Sequence, residues 1–220
     1  MIFIILHFNI IILYIISNMI SFIQDFKRIE SFSLSMKGVF STADLKNLFN
    51  ETNGLRLNRR IRKLVDAGFI TRYSRGFYIT KAATLETVCV RMQEQSYISL
   101  ATALARHLMI GTVPSRTVFA VRQGRPLRFN GPLGRIEYAG SLPETVFGFE
   151  NVDGINYATP EKALIDTLFY YQKGHRYYFN MFTDIDVSRV DIATIRTYLK
   201  QYRNPRFVSF VEGYLDGRIR

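Results

Sequence analysis

The chain has 220 residues, 48% of them hydrophobic, with 14 glycines and 6 prolines, which excludes a disordered or low-complexity polymer and leaves room for one large or two small domains. Its net charge of +11 and isoelectric point near 9.9 favour a nucleic acid or an anionic membrane as partner over an acidic protein surface. A single cysteine, Cys89, excludes an internal disulfide framework, and three scattered histidines, His7, His107 and His175, offer no zinc-ligand spacing, so neither a metal nor another cofactor is expected.

Residues 1–18 form a hydrophobic extension. Met1 to Ile16 are almost wholly apolar and the bias continues to Ile23, long enough to cross a bilayer, although His7, Asn9, Ser17 and Asn18 interrupt it. No positive charge precedes the run and no small-residue cleavage pattern follows it, so a cleavable signal peptide is not expected. Two readings stay open. As a membrane helix the run would hold the rest of the chain in the cytoplasm through Lys27 and Arg28; as an upstream extension it leaves Met19 as the working start of a cytoplasmic protein.

Residues 19–83 read as a winged helix-turn-helix. Phe22, Ile23, Phe26 and Ile29 fall at helical spacing, predicting a first core helix over Ser21 to Ser33. Ser41, with Asp44 three residues on, predicts a capped second helix whose apolar face is Leu45, Leu48 and Phe49. After the turn signal Asn53-Gly54, a third helix is predicted from Leu55 to Ala67, carrying Leu57, Ile61, Leu64 and Val65 on one face and stopped by Gly68. Arg56, Arg59, Arg62 and Lys63 project from the opposite face, a pattern suited to the major groove. Phe69 to Arg72 and Phe77 to Thr80 flank Tyr73-Ser74-Arg75-Gly76 as a hairpin, a wing whose Arg72 and Arg75 would meet the DNA backbone or minor groove. The expected DNA-binding residues are therefore Arg56, Arg59, Arg62, Lys63, Arg72 and Arg75, and most of the chain's excess positive charge lies between Met19 and Ala83. A solvated helix face is the plainer alternative for such a charge run.

Residues 84–220 read as a second, α+β domain. Lys81 to Gln95 looks like a helical connector, and Ser99 opens an amphipathic helix with Leu100, Ala103, Leu104 and Leu108 that ends at Gly111. Thr117 to Val121, Arg128 to Phe129, Arg135 to Ala139 and Asn156 to Ala158 are short strand-like runs separated by glycines, predicting a small, mostly antiparallel sheet. Thr159-Pro160-Glu161 starts a helix, with Ala163, Leu164, Leu168 and Tyr171 as its buried stripe. Ser188 to Tyr202 and Pro205 to Leu215 complete the packed helices, giving an α+β fold class for the whole.

Four motifs, GVFSTADL (38–45), RGFYIT (75–80), YISLATAL (97–104) and ATPEKALIDTL (158–168), occur in an order and spacing that resemble the AbiEi-type antitoxins, regulators of type IV toxin-antitoxin and abortive-infection (phage defence) systems. The resemblance covers about Gly38 to Gly174 and puts the DNA-reading helix on Leu55 to Ala67 and the wing on Arg75-Gly76. It implies a repressor of its own operon that binds inverted repeats in double-stranded DNA, with self-association on the DNA. It also implies a C-terminal domain that counteracts a nucleotidyltransferase-like toxin without a stable complex being required. The hydrophobic N-terminus and the tail after Gly174 depart from the pattern. They keep a membrane-anchored or scaffold-type regulator without an antitoxin role as the alternative.

An enzyme is not expected. A metal-dependent nuclease of the restriction type wants an acid-x-lysine pair, but Glu137 is followed by Tyr138-Ala139 and Glu161 by Lys162-Ala163. No nucleophile elbow, P-loop or zinc-deaminase motif occurs, and neither Glu161 nor Asp166 is assigned a catalytic role. Tyr170, Tyr171, Tyr177 and Tyr178, interleaved with His175 and Arg176, suit either packing at a domain edge or stacking on unpaired bases.

Overall fold

The computed structural model describes residues 2–111 and 115–218, and for residues 2–11, 14, 15 and 18 the backbone alone. The chain divides into two compact units, Met1–Thr84 and Leu85–Arg220. Both mix helix and sheet, and the fold is α+β.

The first unit runs α1 (Ile2–Ser33), β1 (Val39–Ser41), α2 (Thr42–Phe49), α3 (Gly54–Asp66), β2 (Thr71–Ser74) and β3 (Phe77–Ile79), with the strands in a three-stranded antiparallel sheet of order β1-β3-β2. Phe22, Phe26 and Ile29, at i, i+4 and i+7, define the face of α1 that packs on Phe40, Leu45, Phe49, Leu57, Ile61, Leu64 and Ile70. Ile23, expected in that stripe, lies a hundred degrees off it and is 44% exposed. Ile12, Leu13, Ile16, Met19 and Ile20 are exposed too. Among the described residues no helix is long and apolar enough to cross a membrane. The side chains of residues 2–11, Tyr14, Ile15 and Asn18, on which much of the membrane reading falls, lie outside the described residues.

Local chemistry sets the helix starts. Ser41 Oγ accepts from the Asp44 amide at 3.0 Å and Asp44 Oδ2 accepts from the Ser41 amide at 2.7 Å, closing the expected capping box. The turn residue Asn53 proves to be the cap of α3, its Oδ1 accepting from Leu55 and Arg56, and the helix stops at Asp66 just before left-handed Gly68. Gly38 precedes β1 with φ +71°, and a side chain there would collide with the backbone of Ala83.

The second unit contains α4 (Leu85–Met92), β4 (Ser96–Ile98), α5 (Leu100–Arg106), β5 (Thr117–Gln123), β6 (Leu127–Gly131), β7 (Gly134–Ser141), β8 (Phe149–Val152), β9 (Ile155–Ala158), α6 (Pro160–Gln172), α7 (Ile192–Leu199) and α8 (Pro205–Asp216). Its six strands form one sheet in the order β6-β7-β5-β4-β9-β8. The sheet, expected from the sequence to be mostly antiparallel, pairs β4 with β5, β6 with β7 and β8 with β9 in that sense, but it is mixed: β5 runs parallel to β7 and β4 parallel to β9. Strand alternation reports which face a side chain takes and carries no information on the direction of the neighbouring strand.

Other expectations change as well. From Leu85 onward the supposed connector is part of this unit, because α4 buries Val88, Cys89, Val90 and Met92 and Tyr138 Oη donates to the Cys89 carbonyl at 2.7 Å. The helix opened by Ser99 ends at Arg106; Leu108 takes a left-handed conformation and is 67% exposed instead of lying in the apolar stripe. Ser188 to Tyr202 is not one helix: a short 3-10 turn at Val187–Arg189 precedes α7, which Asp191 caps. Leu104, Ala163, Leu164, Leu168, Ile195, Leu199, Phe207 and Val211 form the core beneath the sheet helices.

Candidate nucleic-acid interface

Helix α3 has two chemically distinct faces. Leu57, Ile61 and Leu64 are buried, while Leu55, Arg56, Asn58, Arg59, Arg62, Lys63 and Asp66 are exposed. The helix therefore uses its apolar stripe to seat itself and leaves a cationic stripe outside. Among the described residues the side chains of Arg56, Arg59, Arg62 and Arg75 have no ion-pair or hydrogen-bond partner, so their guanidinium donors face water.

The hairpin of β2 and β3 stands beside this helix. It turns through Arg75 and Gly76, the latter at φ +82°, after a register shift between Arg72 and Ser74. Thr42 at the start of α2 donates its amide to the Gly76 carbonyl at 2.8 Å, and its hydroxyl reaches the same oxygen at 3.3 Å, tying the turn to the helical layer. Between α3 and the hairpin lies a groove of about 590 Å³ whose lining includes Asn58, Arg62, Arg72, Arg75 and Tyr78.

Of the six expected DNA-binding residues, the fold thus brings Arg62, Arg72 and Arg75 to one groove. Arg56, Arg59 and Lys63 lie on the exposed stripe of α3 outside its lining, and Arg72 Nε also donates to the Ser74 carbonyl at 3.3 Å. Asn58 and Thr42 join the groove without having been expected there. Asn58 has the right residue type and helical phase to have been noticed, whereas Thr42 comes from a different element and left no signal.

Arg60 is set apart from its neighbours. Its Nε donates to Asp25 Oδ2 at 2.8 Å, a second nitrogen reaches Oδ1, Glu51 lies 3.7 Å away, and the guanidinium sits 4.8 Å from the centre of the Phe49 ring. The hydrogen bond it donates to Asp25, outweighing burial, holds the Arg60 pKa above its ordinary value. This arginine joins α3 to α1 and takes no part in the exposed stripe.

In the second unit the motif residues converge on a buried polar cluster. Lys162 and Asp166, one turn apart on α6, are both buried; Asp166 also accepts from Tyr97 Oη at 2.9 Å and Ser99 Oγ at 2.8 Å, and Lys162 Nζ reaches Tyr202 Oη at 2.9 Å. The Lys162 ammonium faces the Phe147 ring at 4.7 Å. The tyrosine segment is used mainly for packing: Tyr170 Oη donates to the Gly140 carbonyl, Tyr177 Oη to that of Thr167, and Tyr171 stacks on Phe210, while Tyr178 stays 49% exposed. His107 contacts the Ala158 carbonyl through Nε2 at 2.7 Å. Among the described residues no group of three or more His, Cys, Asp and Glu side chains could hold a metal ion.

No protein-family model and no curated protein matches the chain. Among solved structures it is similar to the crystal structure of the RV2827C protein from Mycobacterium tuberculosis, with a TM-score of 0.60 over 86% of this chain and 74% of that one. At 12% identity the likeness is one of fold alone.

Proposed function

We propose that the chain is a DNA-binding transcriptional regulator whose first unit is a winged helix-turn-helix, with α3 in the major groove and the β2–β3 hairpin as the wing. The observation that carries this reading is the convergence of Arg62, Arg72 and Arg75 on one groove beside the exposed cationic stripe of α3. Phosphate contacts from the hairpin would position the head, while Arg59, Arg62 and Asn58 have the donor and acceptor sets that read guanine and adenine edges.

The sequence motifs carry the proposal further, to an antitoxin of a type IV toxin-antitoxin system that represses its own operon at inverted repeats and counteracts a nucleotidyltransferase-like toxin, without enzymatic activity of its own. Mobility shifts on the DNA upstream of its own gene test the first part, and co-expression with the product of an adjacent nucleotidyltransferase-like gene tests the second. A protein that shifts scrambled DNA equally well is no operator-specific repressor. Failure to restore growth removes the antitoxin role and leaves a regulator.

The exposed apolar residues of α1 from Ile12 to Ile23 favour a second reading, a regulator or scaffold tethered through its N-terminus to a membrane. Release of the native product from the pellet by detergent alone would support that reading over a cytoplasmic protein.

A further inference from the structure

The second unit carries a concavity of about 640 Å³ on the face of the sheet opposite Tyr138 Oη's anchor, at the C-terminal end of α6. That volume falls in the range of roughly 300–1,000 Å³ typical of small-molecule sites. The pairing register explains its floor. Phe119, Glu137 and Arg128 are direct partners across β5, β7 and β6, so their side chains form one row on one face. Glu137 is held there by Arg128 at 3.2 Å and Arg135 at 3.4 Å.

The last turn of α6 with Tyr170 and the turn after it with Lys173 and His175 close the opposite wall. Lys173 has no carboxylate partner among the described residues; its ammonium rests 4.0 Å from the centre of the Phe169 ring. Burial lowers the pKa of both Lys173 and His175, although nearby Glu137 draws the imidazole back upward, and the His175 ring stands edge-on to Phe119. The concavity therefore combines aromatic walls, a pinned carboxylate on the floor and an ammonium without a counter-charge.

We propose that this concavity binds a nucleotide, either free or at the end of a single strand, with the base against Phe119 and His175, its N–H edge toward Glu137, and the phosphate on Lys173. The match is chemical. Inorganic phosphate leaves the aromatic walls unused, and a nucleoside brings no anion to the ammonium. The site stands apart from the DNA-binding reading of the first unit.

Titration calorimetry on the full chain with the four common 5′-nucleoside monophosphates, the matching nucleosides, inorganic phosphate and a single-stranded hexamer tests it. At least one monophosphate is expected to bind tenfold or more tightly than its nucleoside. Lys173→Ala should erase that difference and Glu137→Gln should weaken both ligands severalfold, with melting temperatures confirming that each variant folds. A hexamer that competes with the monophosphate identifies a strand end as the ligand, and one that does not compete identifies the free nucleotide. Binding of no monophosphate at millimolar concentration, equal binding by Lys173→Ala, or inorganic phosphate competing as well as the nucleotide would each overturn the proposal. None of these results bears on operator binding, which is measured separately.

Discussion

Lys162 and Asp166 form an ion pair with no exit to solvent: the two side chains are 0% and 3% exposed, their charged atoms are 2.5 Å apart, Tyr97 and Ser99 donate to the carboxylate, and Tyr202 Oη accepts from the ammonium. A charge pair in the interior is tolerated only when its remaining hydrogen-bonding capacity is taken up. Here the partners come from β4, from the cap of α5 and from the segment after α7, so the pair joins the two later motifs of the chain. Removing one member leaves the other charged and alone. Lys162→Met or Asp166→Leu is expected to destabilise the second unit by about 3–5 kcal/mol, whereas the double replacement should recover much of the loss. Urea unfolding of the three variants measures this, and single replacements costing under about 1 kcal/mol would contradict the assignment.

Arg59 and Arg60 are neighbours with opposite jobs. Arg60, paired with Asp25 at side-chain exposures of 23% and 3%, lies between an exposed and a buried ion pair, so Arg60→Ala should lower stability by about 2 kcal/mol. Arg59→Ala should change stability by no more than about 0.5 kcal/mol. Thermal melts of the two variants distinguish them, and equal melting temperatures would remove the structural role of Arg60.

For DNA the order reverses. Replacing Arg59 and Lys63 by alanine should cost operator affinity within the roughly 1–3 kcal/mol of a good bidentate base contact. Arg75→Ala should weaken binding evenly across sequences and reduce the slope of affinity against salt by about one ion, as a lost phosphate contact does. A sequence-selective loss at Arg75 would mean that the hairpin reads bases.

Deleting residues 1–18 should leave the first unit folded and able to bind DNA. Among the described residues, those of α1 that pack on its core begin at Phe22, and the described side chains from Ile12 to Ile20 are exposed. A mobility shift with the shortened chain tests this, and loss of both binding and thermal stability would assign residues 1–18 a part in the fold.

Burial pushes the Cys89 thiol up to about 12, so the folded chain keeps this proton where an unfolded thiol, with its usual value of about 8.5, loses it. Its contribution to stability is complete below that unfolded value and is lost as pH rises toward 12. At pH 9, alkylation of the native protein should therefore follow unfolding, and Cys89→Ala should flatten the first part of the alkaline decline in stability. Rapid labelling of the native protein would show the thiol to be accessible.

Interactions that close within a few residues were legible in the sequence. The Ser41 and Asp44 box, the Thr159-Pro160 start of α6, the stop at Gly68 and the apolar stripe of α3 all depend on neighbours three or four residues away, and the structure has them where local chemistry puts them. The charge of Arg60 was equally legible, but its use was not. Arg59, Arg60 and Arg62 look alike until α1 brings Asp25 to one side of the helix and the hairpin brings Arg72 and Arg75 to the other. The mixed sheet was hidden for the same reason, since β4 has three residues and its partners β5 and β9 are chosen by packing across the whole unit. Lys162 shows the limit most plainly. On α6 alone it is an ordinary cation one turn from an ordinary acid. Tyr97 and Ser99, more than sixty positions away along the chain, make the pair an interior one by supplying the hydrogen bonds without which two charges would not leave water.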